Sequence, residues 1–352
     1  MEAGSILILL FVVATAVAIA VQRLAVPYTV ALVFTGLMLG LAHAIEAPHL
    51  TKALMFSVFL PGLLFEAAFH IEFKQFWRNR LTINSLALPG VVAAIALTAL
   101  ILTPVADELH FVQDFTWKHA LVFGAIISAT DPIAVIAIFK SLGVPKRLSV
   151  LLEGESLLND GTAIVFFMLS VSLVTGAVVT PGGLAFAFIK IVGTGALIGV
   201  GVGLVVSQVI KQVDDPMIEI TLTTIAAYGS FLAAEHFHFS GVIATVSAGM
   251  LCGNYGARVG MSPSTRIAVE TFWEYVAFAL NSIVFLLIGL EVQFKALLAS
   301  WQPILVAYLV VTLGRAMIIS GASFLLRRTR EKIPWSWSVI LTWGGLRAYA
   351  LE

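Results

Sequence analysis

Two stretches decide the reading: FGAIISATDPIAVIAIF at residues 123–139 and LLEGESLLNDGTAIVFF at residues 151–167. Both are mostly apolar, as a membrane crossing of roughly 20 residues must be. Yet both carry carboxylates and hydroxyls near the middle. In the first, Pro132 has no N–H, so the carbonyl of Ser128 loses its helical partner. Ser128, Thr130 and Asp131 then offer oxygen at membrane depth, where irregular backbone is tolerated only against protein or a wet cavity. In the second, Glu155 and Asn159 are four residues apart, as are Ser156 and Asp160, so each pair shares a helix face. Ser156 and Asp160 supply the oxygen ligands that hard cations take. A carboxylate there holds a proton or a cation, but not both well. That competition is a physical basis for exchange. The plainer alternatives are a proline kink with a capping Asp131 and a structural polar network between packed helices.

The rest of the chain has the composition of a membrane protein. Of its 352 residues, 60% are hydrophobic and only 11% charged, against about 25% charged in a soluble domain. Lys plus Arg and Asp plus Glu both number 20, which argues against nucleic acid as a partner. The single Cys252 excludes an internal disulfide or a thiolate metal cluster.

Apolar runs between charged or Pro/Gly-rich breaks predict twelve spanning helices. The first six are 6–22, 27–43, 53–70, 81–103, 119–139 and 149–175. The second six are 183–210, 217–234, 239–253, 267–290, 303–326 and 334–352. The runs are continuous, whereas barrel strands would be short and alternating. Fourteen of the twenty basic residues fall in odd-numbered loops and three in even-numbered ones. The excess of basic residues inside predicts cytoplasmic odd loops and an external N-terminus. The fifth run is interrupted at Asp131-Pro132, and Gly344-Gly345 predicts a matching break in the twelfth. That pairing suggests two inverted six-helix units, a common transporter plan.

Other intramembrane polar groups are candidates by cost alone. Glu66, after Pro61-Gly62, reads equally as a site carboxylate or an interfacial residue. Arg315 lies twelve residues from either end of its run and needs an acidic partner, for which Glu155 is the natural choice. Arg347 reads as a donor to carbonyls freed in the twelfth run. Lys190 lies near a helix end and snorkels. Gly195, Gly199 and Gly203 form overlapping GxxxG spacings that permit close packing without naming a partner. Trp335 and Trp337 read as an interfacial belt.

The stretch from ATDP through GESLLNDG resembles the monovalent cation:proton antiporter family, the sodium/proton exchangers. FLPGLLFEAAF, SGVIATVSAGM, NSIVFLLIGLEV and GGLR resemble that family's third, ninth, tenth and twelfth helices. The resemblance implies an all-α polytopic membrane protein with the inverted-repeat sodium/proton antiporter fold and thirteen helices in a homodimer. It implies a sodium site made by Asp160, Ser156, the Thr130 carbonyl and Glu66, with Asp131 acting directly or through water. Pro132 would break the fifth helix and Asn159 would hold the crossing helices. Glu155 with Arg315 resembles a structural ion pair. Asn before Asp implies electroneutral exchange of one proton per sodium or lithium. No cofactor is called for.

The same resemblance implies a scaffold in residues 1–80 and 177–300, the latter including a linker helix. It implies a moving core in 81–176 and 301–352. Against the family pattern, the chain ends at Glu352 with the twelfth helix cut and the thirteenth missing, as in a fragment. The resulting expectation is an antiporter of the cell membrane, serving pH homeostasis by alternating access, and not an enzyme. A potassium/proton exchanger of the same fold and an inactive fragment are the near alternatives. An intramembrane aspartyl protease using Asp131 and Asp160 is the distant one. Against it, Pro follows Asp131 and Asn precedes Asp160.

Overall fold

The computed structural model describes residues 3–22, 26–42, 51–109, 114–130, 135–136, 139, 143–176 and 180–349, with the backbone alone at 3, 4, 52, 181 and 345–349. Every regular element among them is helical. The main helices are α1 (Ala3–Val21), α2 (Tyr28–Leu41), α3 (Leu60–His70), α4 (Arg80–Glu108), α5 (Trp117–Ile127) and α6 (Lys146–Val174). They continue with α7 (Pro181–Ile210), α8 (Pro216–His236), α9 (Gly241–Leu251), α10 (Pro263–Glu291), α11 (Trp301–Leu326) and α12 (Trp335–Tyr349). Each overlaps one of the predicted runs. Six of them, α4, α6, α7, α8, α10 and α11, are long and apolar enough to cross a membrane.

Local chemistry sets where the helices begin. Asp215 Oδ1 accepts from the N–H groups of Met217 and Ile218 at 2.8 and 3.0 Å, with Pro216 at the first position of α8. Ser240 and Ser262 cap α9 and α10 in the same way, through Ile243 N–H at 3.2 Å and Thr265 N–H at 3.3 Å. A side-chain oxygen there satisfies a donor that the helix leaves without a partner. The outward faces are apolar: Leu100, Leu197 and Leu325 are 71%, 72% and 77% exposed. Surface of this kind is stable in lipid and not in water.

The buried apolar side chains form two groups of clusters. One joins α3, α7, α8, α9 and α10 around Phe65, Val206, Ala226, Ala248 and Trp273, and another joins α1 and α2 to α10 and to Phe59, just before α3. On the other side, Leu86, Leu152, Ile319 and Leu341 join α4, α6, α11 and α12, together with Val135 and Phe139. Val91, Ile95 and Ala125 add α5 to that side. A cluster that includes Leu64, Ala68, Leu151, Leu157 and Val246 bridges the two.

The glycine ridge of α7 meets a single helix. A side chain at Gly195 would meet Ser240, at Gly199 Ala244, and at Gly203 Ala248. Both rows repeat every four residues, so each glycine has its own small partner on α9. This close backbone approach is how small residues drive helix association in lipid. Gly199→Val is expected to destabilise the fold by about 1–3 kcal/mol, the usual cost of overpacking. Gly201→Ala, which meets nothing within 4 Å, is the control. Thermal unfolding in detergent checks both; equal midpoints would contradict the packing.

The twelfth helix differs from the sequence reading. It is continuous from Trp335 to Tyr349, through Gly344-Gly345. Glycine weakens a helix but keeps its N–H, so the ladder survives. Proline removes the donor outright.

Candidate ion-binding site

The α5 helix ends at Ile127, with Ser128 as its C-cap and Ala129 and Thr130 non-helical. Val135 and Ile136 are helical again. The chain therefore unwinds just before Asp131-Pro132, as the lost donor requires. Asp131 and Pro132 lie outside the described residues, as does the side chain of Arg347.

The long α6 helix holds this unwound end by its backbone. Asn159 Nδ2 donates to the Ser128 carbonyl at 2.7 Å and to Thr130 Oγ1 at 3.2 Å. The Ser156 hydroxyl donates to the Thr130 carbonyl. Ser128 Oγ donates back to Ala125 O at 2.9 Å. Ser128, Thr130, Ser156 and Asn159 are all buried. Orphaned carbonyls at a buried helix end need such donors. Here they come from two side chains three residues apart on one face of α6. Asp160 is half-buried and lies one turn beyond Ser156 on the same face.

Arg315, from the middle of α11, reaches the same helix. Its Nη2 lies 3.0 Å from Glu155 Oε1, with Glu155 only 3% exposed. The guanidinium also donates to Leu341 O from Nε at 3.3 Å and Nη2 at 3.2 Å. One side chain thus joins α6, α11 and α12. An arginine this deep needs its fork filled by acceptors.

Glu66 stands on α3, half-buried, and pairs with His70 one turn on: Nδ1 lies 3.2 Å from Oε1 and 3.0 Å from the Glu66 carbonyl. The Leu64 and Ala68 side chains of α3 pack with Leu151 and Leu157 of α6. The structure thus brings Thr130, Ser156, Asn159 and Asp160 to one crossing, with Glu155 and Arg315 behind it. Glu66 is on the adjoining helix.

Two features escaped the sequence reading. Arg147 Nε donates to Asn79 Oδ1 at 2.8 Å, and its Nη2 donates to the carbonyls of Glu331 and Lys332 at 2.9 and 3.1 Å. Glu331 Oε2 in turn accepts from Thr82 N–H at 2.9 Å, and the Arg147 guanidinium sits 5.3 Å above the Trp337 ring. This clasp ties the starts of α4 and α6 to the loop before α12. In the sequence Arg147 is one more basic loop residue, and nothing local marks it out. The second is Glu219, fully buried in the first turn of α8. No hydrogen-bond donor reaches its carboxylate among the described residues. The Thr265 hydroxyl beside it donates instead to Ser262 O at 3.2 Å. In the sequence it is one acid near a helix start, and nothing local marks its burial.

Comparison with known proteins places the fold. The family model for the sodium/hydrogen exchanger, transmembrane, matches residues 7–351. The Na(+)/H(+) antiporter ApNhaP of Aphanothece halophytica is 39% identical over 325 residues, which are 92% of this chain and 61% of that protein. The Na(+)/H(+) antiporter NhaH of Halobacillus dabanensis is 37% identical over 356 residues, 97% of this chain and 85% of its own length. The solved sodium proton antiporter MjNhaP1 from Methanocaldococcus jannaschii, at pH 8, superposes over 100% of this chain and 85% of its own. The TM-score is 0.79 at 19% identity, so the likeness is one of fold. The chain spans 61% of the length of ApNhaP and of the related NhaS1 from Synechocystis.

Proposed function

The chain belongs to the sodium/hydrogen exchanger family, and on that premise we propose that it exchanges sodium for protons at the crossing of the unwound 128–130 segment with α6. The carrying observation is the backbone grip of α6 on that segment. Ser156 and Asn159 donate to the carbonyls of Thr130 and Ser128, which sets the Thr130 carbonyl oxygen against the Ser156 hydroxyl, one turn from Asp160. Those oxygens have lone pairs left to offer a bare monovalent cation. Asp160 supplies the charge. With a proton on Asp160 the site is neutral without a cation; with the cation bound the carboxylate is ionised and the total charge is the same. Only these two neutral states cross a low-dielectric barrier cheaply. Coupling follows from that restriction.

One titrating carboxylate per site makes the exchange one proton for one sodium or lithium ion, with no net charge moved. Asn159 is neutral and adds no second proton. Asp131, directly or through water, and Glu66 would complete the ligand set without changing their own charge through the cycle, with Glu66 leaving His70 to do so. Two sets of apolar clusters, joined by one bridging cluster, support a moving core of α4–α6, α11 and α12 against a scaffold of α1–α3 and α7–α10, alternately opening the site to each side. A homodimer through the scaffold, a cell-membrane location with the N-terminus outside, and a part in pH homeostasis belong to the same reading.

Purified protein in vesicles, with a pH-sensitive dye inside, tests this. An imposed sodium gradient should drive proton flux, lithium should substitute, and choline should not. Clamping the membrane potential at different values should leave the rate unchanged; a potential-dependent rate with net current would overturn the one-to-one reading. Flux driven by potassium alone would transfer the site to a potassium exchanger. No flux with any cation would leave the chain as a scaffold or fragment.

A further inference from the structure

Behind the ion site, among α4, α5, α6 and α11, lies a cavity of about 30 Å³. Its walls include Thr98, Ser128, Glu155, Asn159, Gly314 and Arg315. Two acceptors in this wall are buried and have no donor among the described residues: Glu155 Oε2 and Asn159 Oδ1. The residues are 3% and 2% exposed. Each atom's orientation is settled by its twin. Glu155 Oε1 faces Arg315 Nη2, and Asn159 Nδ2 must face the Ser128 carbonyl to donate to it.

We infer that this cavity binds one water molecule, which donates to Glu155 Oε2 and to Asn159 Oδ1. It thereby joins the buried ion pair to the amide that holds the unwound segment. The volume suffices for one water, which needs about 10–15 Å³ and two to four polar partners. Two acceptors call for an occupant with two donors, which water has and a lipid methyl lacks. A resident cation is disfavoured because the Arg315 guanidinium lines the same space and already neutralises Glu155. The water fixes the Asn159 amide with Nδ2 on the Ser128 carbonyl and Thr130 Oγ1, so the pair acts on the site through Asn159 as a positioning group. This rests on the proposed exchange only for its transport readout.

Gly314 supplies the test. It is buried in α11, and a side chain built there meets nothing within 4 Å. Gly314→Ala therefore puts a methyl into the cavity without a clash and excludes the water. Gly314→Ser puts a hydroxyl there, which has one proton and replaces at most one of the water's two donations. If the cavity is dry, the alanine should raise the thermal midpoint by filling space and favouring the helix. If it holds the water, Gly314→Ala should lower the midpoint by about 2–4 °C and Gly314→Ser should recover part of that loss, since one of the two donations returns. A raised midpoint for Gly314→Ala overturns the proposal. Repeating the comparison in the Asp160→Asn background, in sodium and in choline chloride, separates water from cation. Equal shifts in both salts support water, and a shift seen only in sodium overturns it. Transport should follow, with the apparent KM for sodium raised roughly tenfold in Gly314→Ala, the scale of one hydrogen bond, and raised less in Gly314→Ser. Unaltered KM beside a lowered midpoint would overturn the link to the site. Absence of flux in the wild type would fail the exchange reading, and the thermal arm would still decide the water.

Discussion

Asp160→Asn protein in vesicles should show no sodium-driven proton flux above protein-free vesicles. Asparagine has nearly the shape of aspartate and can still offer an oxygen to a cation. It lacks the two properties that exchange requires. It cannot release a proton near neutral pH, and it cannot cancel the charge of a bound ion at membrane depth. The site is left with one neutral state, the empty one, and coupling is lost. A loss of at least a hundredfold, or about 2.7 kcal/mol of barrier, is expected. Folded yield and thermal midpoint should stay near wild type, because the substitution changes no volume. Sodium-dependent flux that survives in Asp160→Asn would remove Asp160 from the mechanism. In the wild type, protons and sodium should compete for one carboxylate, so the apparent KM for sodium should rise as the pH falls while the maximal rate holds. A KM independent of pH between the two limbs would point to separate sites.

Arg315→Ala should cost the most stability. Among the described residues the guanidinium is the sole charged partner of Glu155, and it donates twice to Leu341 O. Removing it leaves a carboxylate that is 3% exposed with no counter-charge among the described residues. Breaking one half of a buried pair costs about 3–5 kcal/mol, whereas replacing both halves by neutral groups is often nearly neutral. The Glu155→Gln/Arg315→Leu double variant should therefore recover most of the folded yield that Arg315→Ala loses. Size-exclusion profiles and thermal midpoints in detergent measure this, and a double-mutant cycle isolates the pair. A double variant as unstable as Arg315→Ala would show that the Leu341 contact, not the ion pair, holds the three helices together.

The two predictions differ in how far each residue's setting could be read in advance. The faces of α6 were legible because a helix repeats every 3.6 residues, so Ser156 and Asp160 must share a side. The unwinding before Asp131-Pro132 was legible because a missing N–H is a local fact. The same reasoning overreached at Gly344-Gly345, where the helix continues, because glycine changes the cost of a helix and not its hydrogen bonds. Arg315's need for an acid was legible from its depth. The acceptance of its other donors by Leu341 O was not, since a main-chain carbonyl carries no mark in the sequence. Nor was the Arg147 clasp, whose acceptors are carbonyls 184 and 185 residues away.

The sequence by itself determined the apolar helices, the interrupted fifth one and the row of polar groups along the sixth. Each follows from solvent and from bonds within a few residues: lipid demands apolar faces and closed hydrogen bonding, and periodicity does the rest. The tertiary structure alone decided which surfaces meet. It set Gly195, Gly199 and Gly203 on Ser240, Ala244 and Ala248, placed Glu219 beside Thr265 of α10, and left a water-sized space beside Glu155 and Asn159. Those outcomes depend on how closely distant backbones approach. That distance is set by the packing of all the helices at once, and no single stretch of chain contains it.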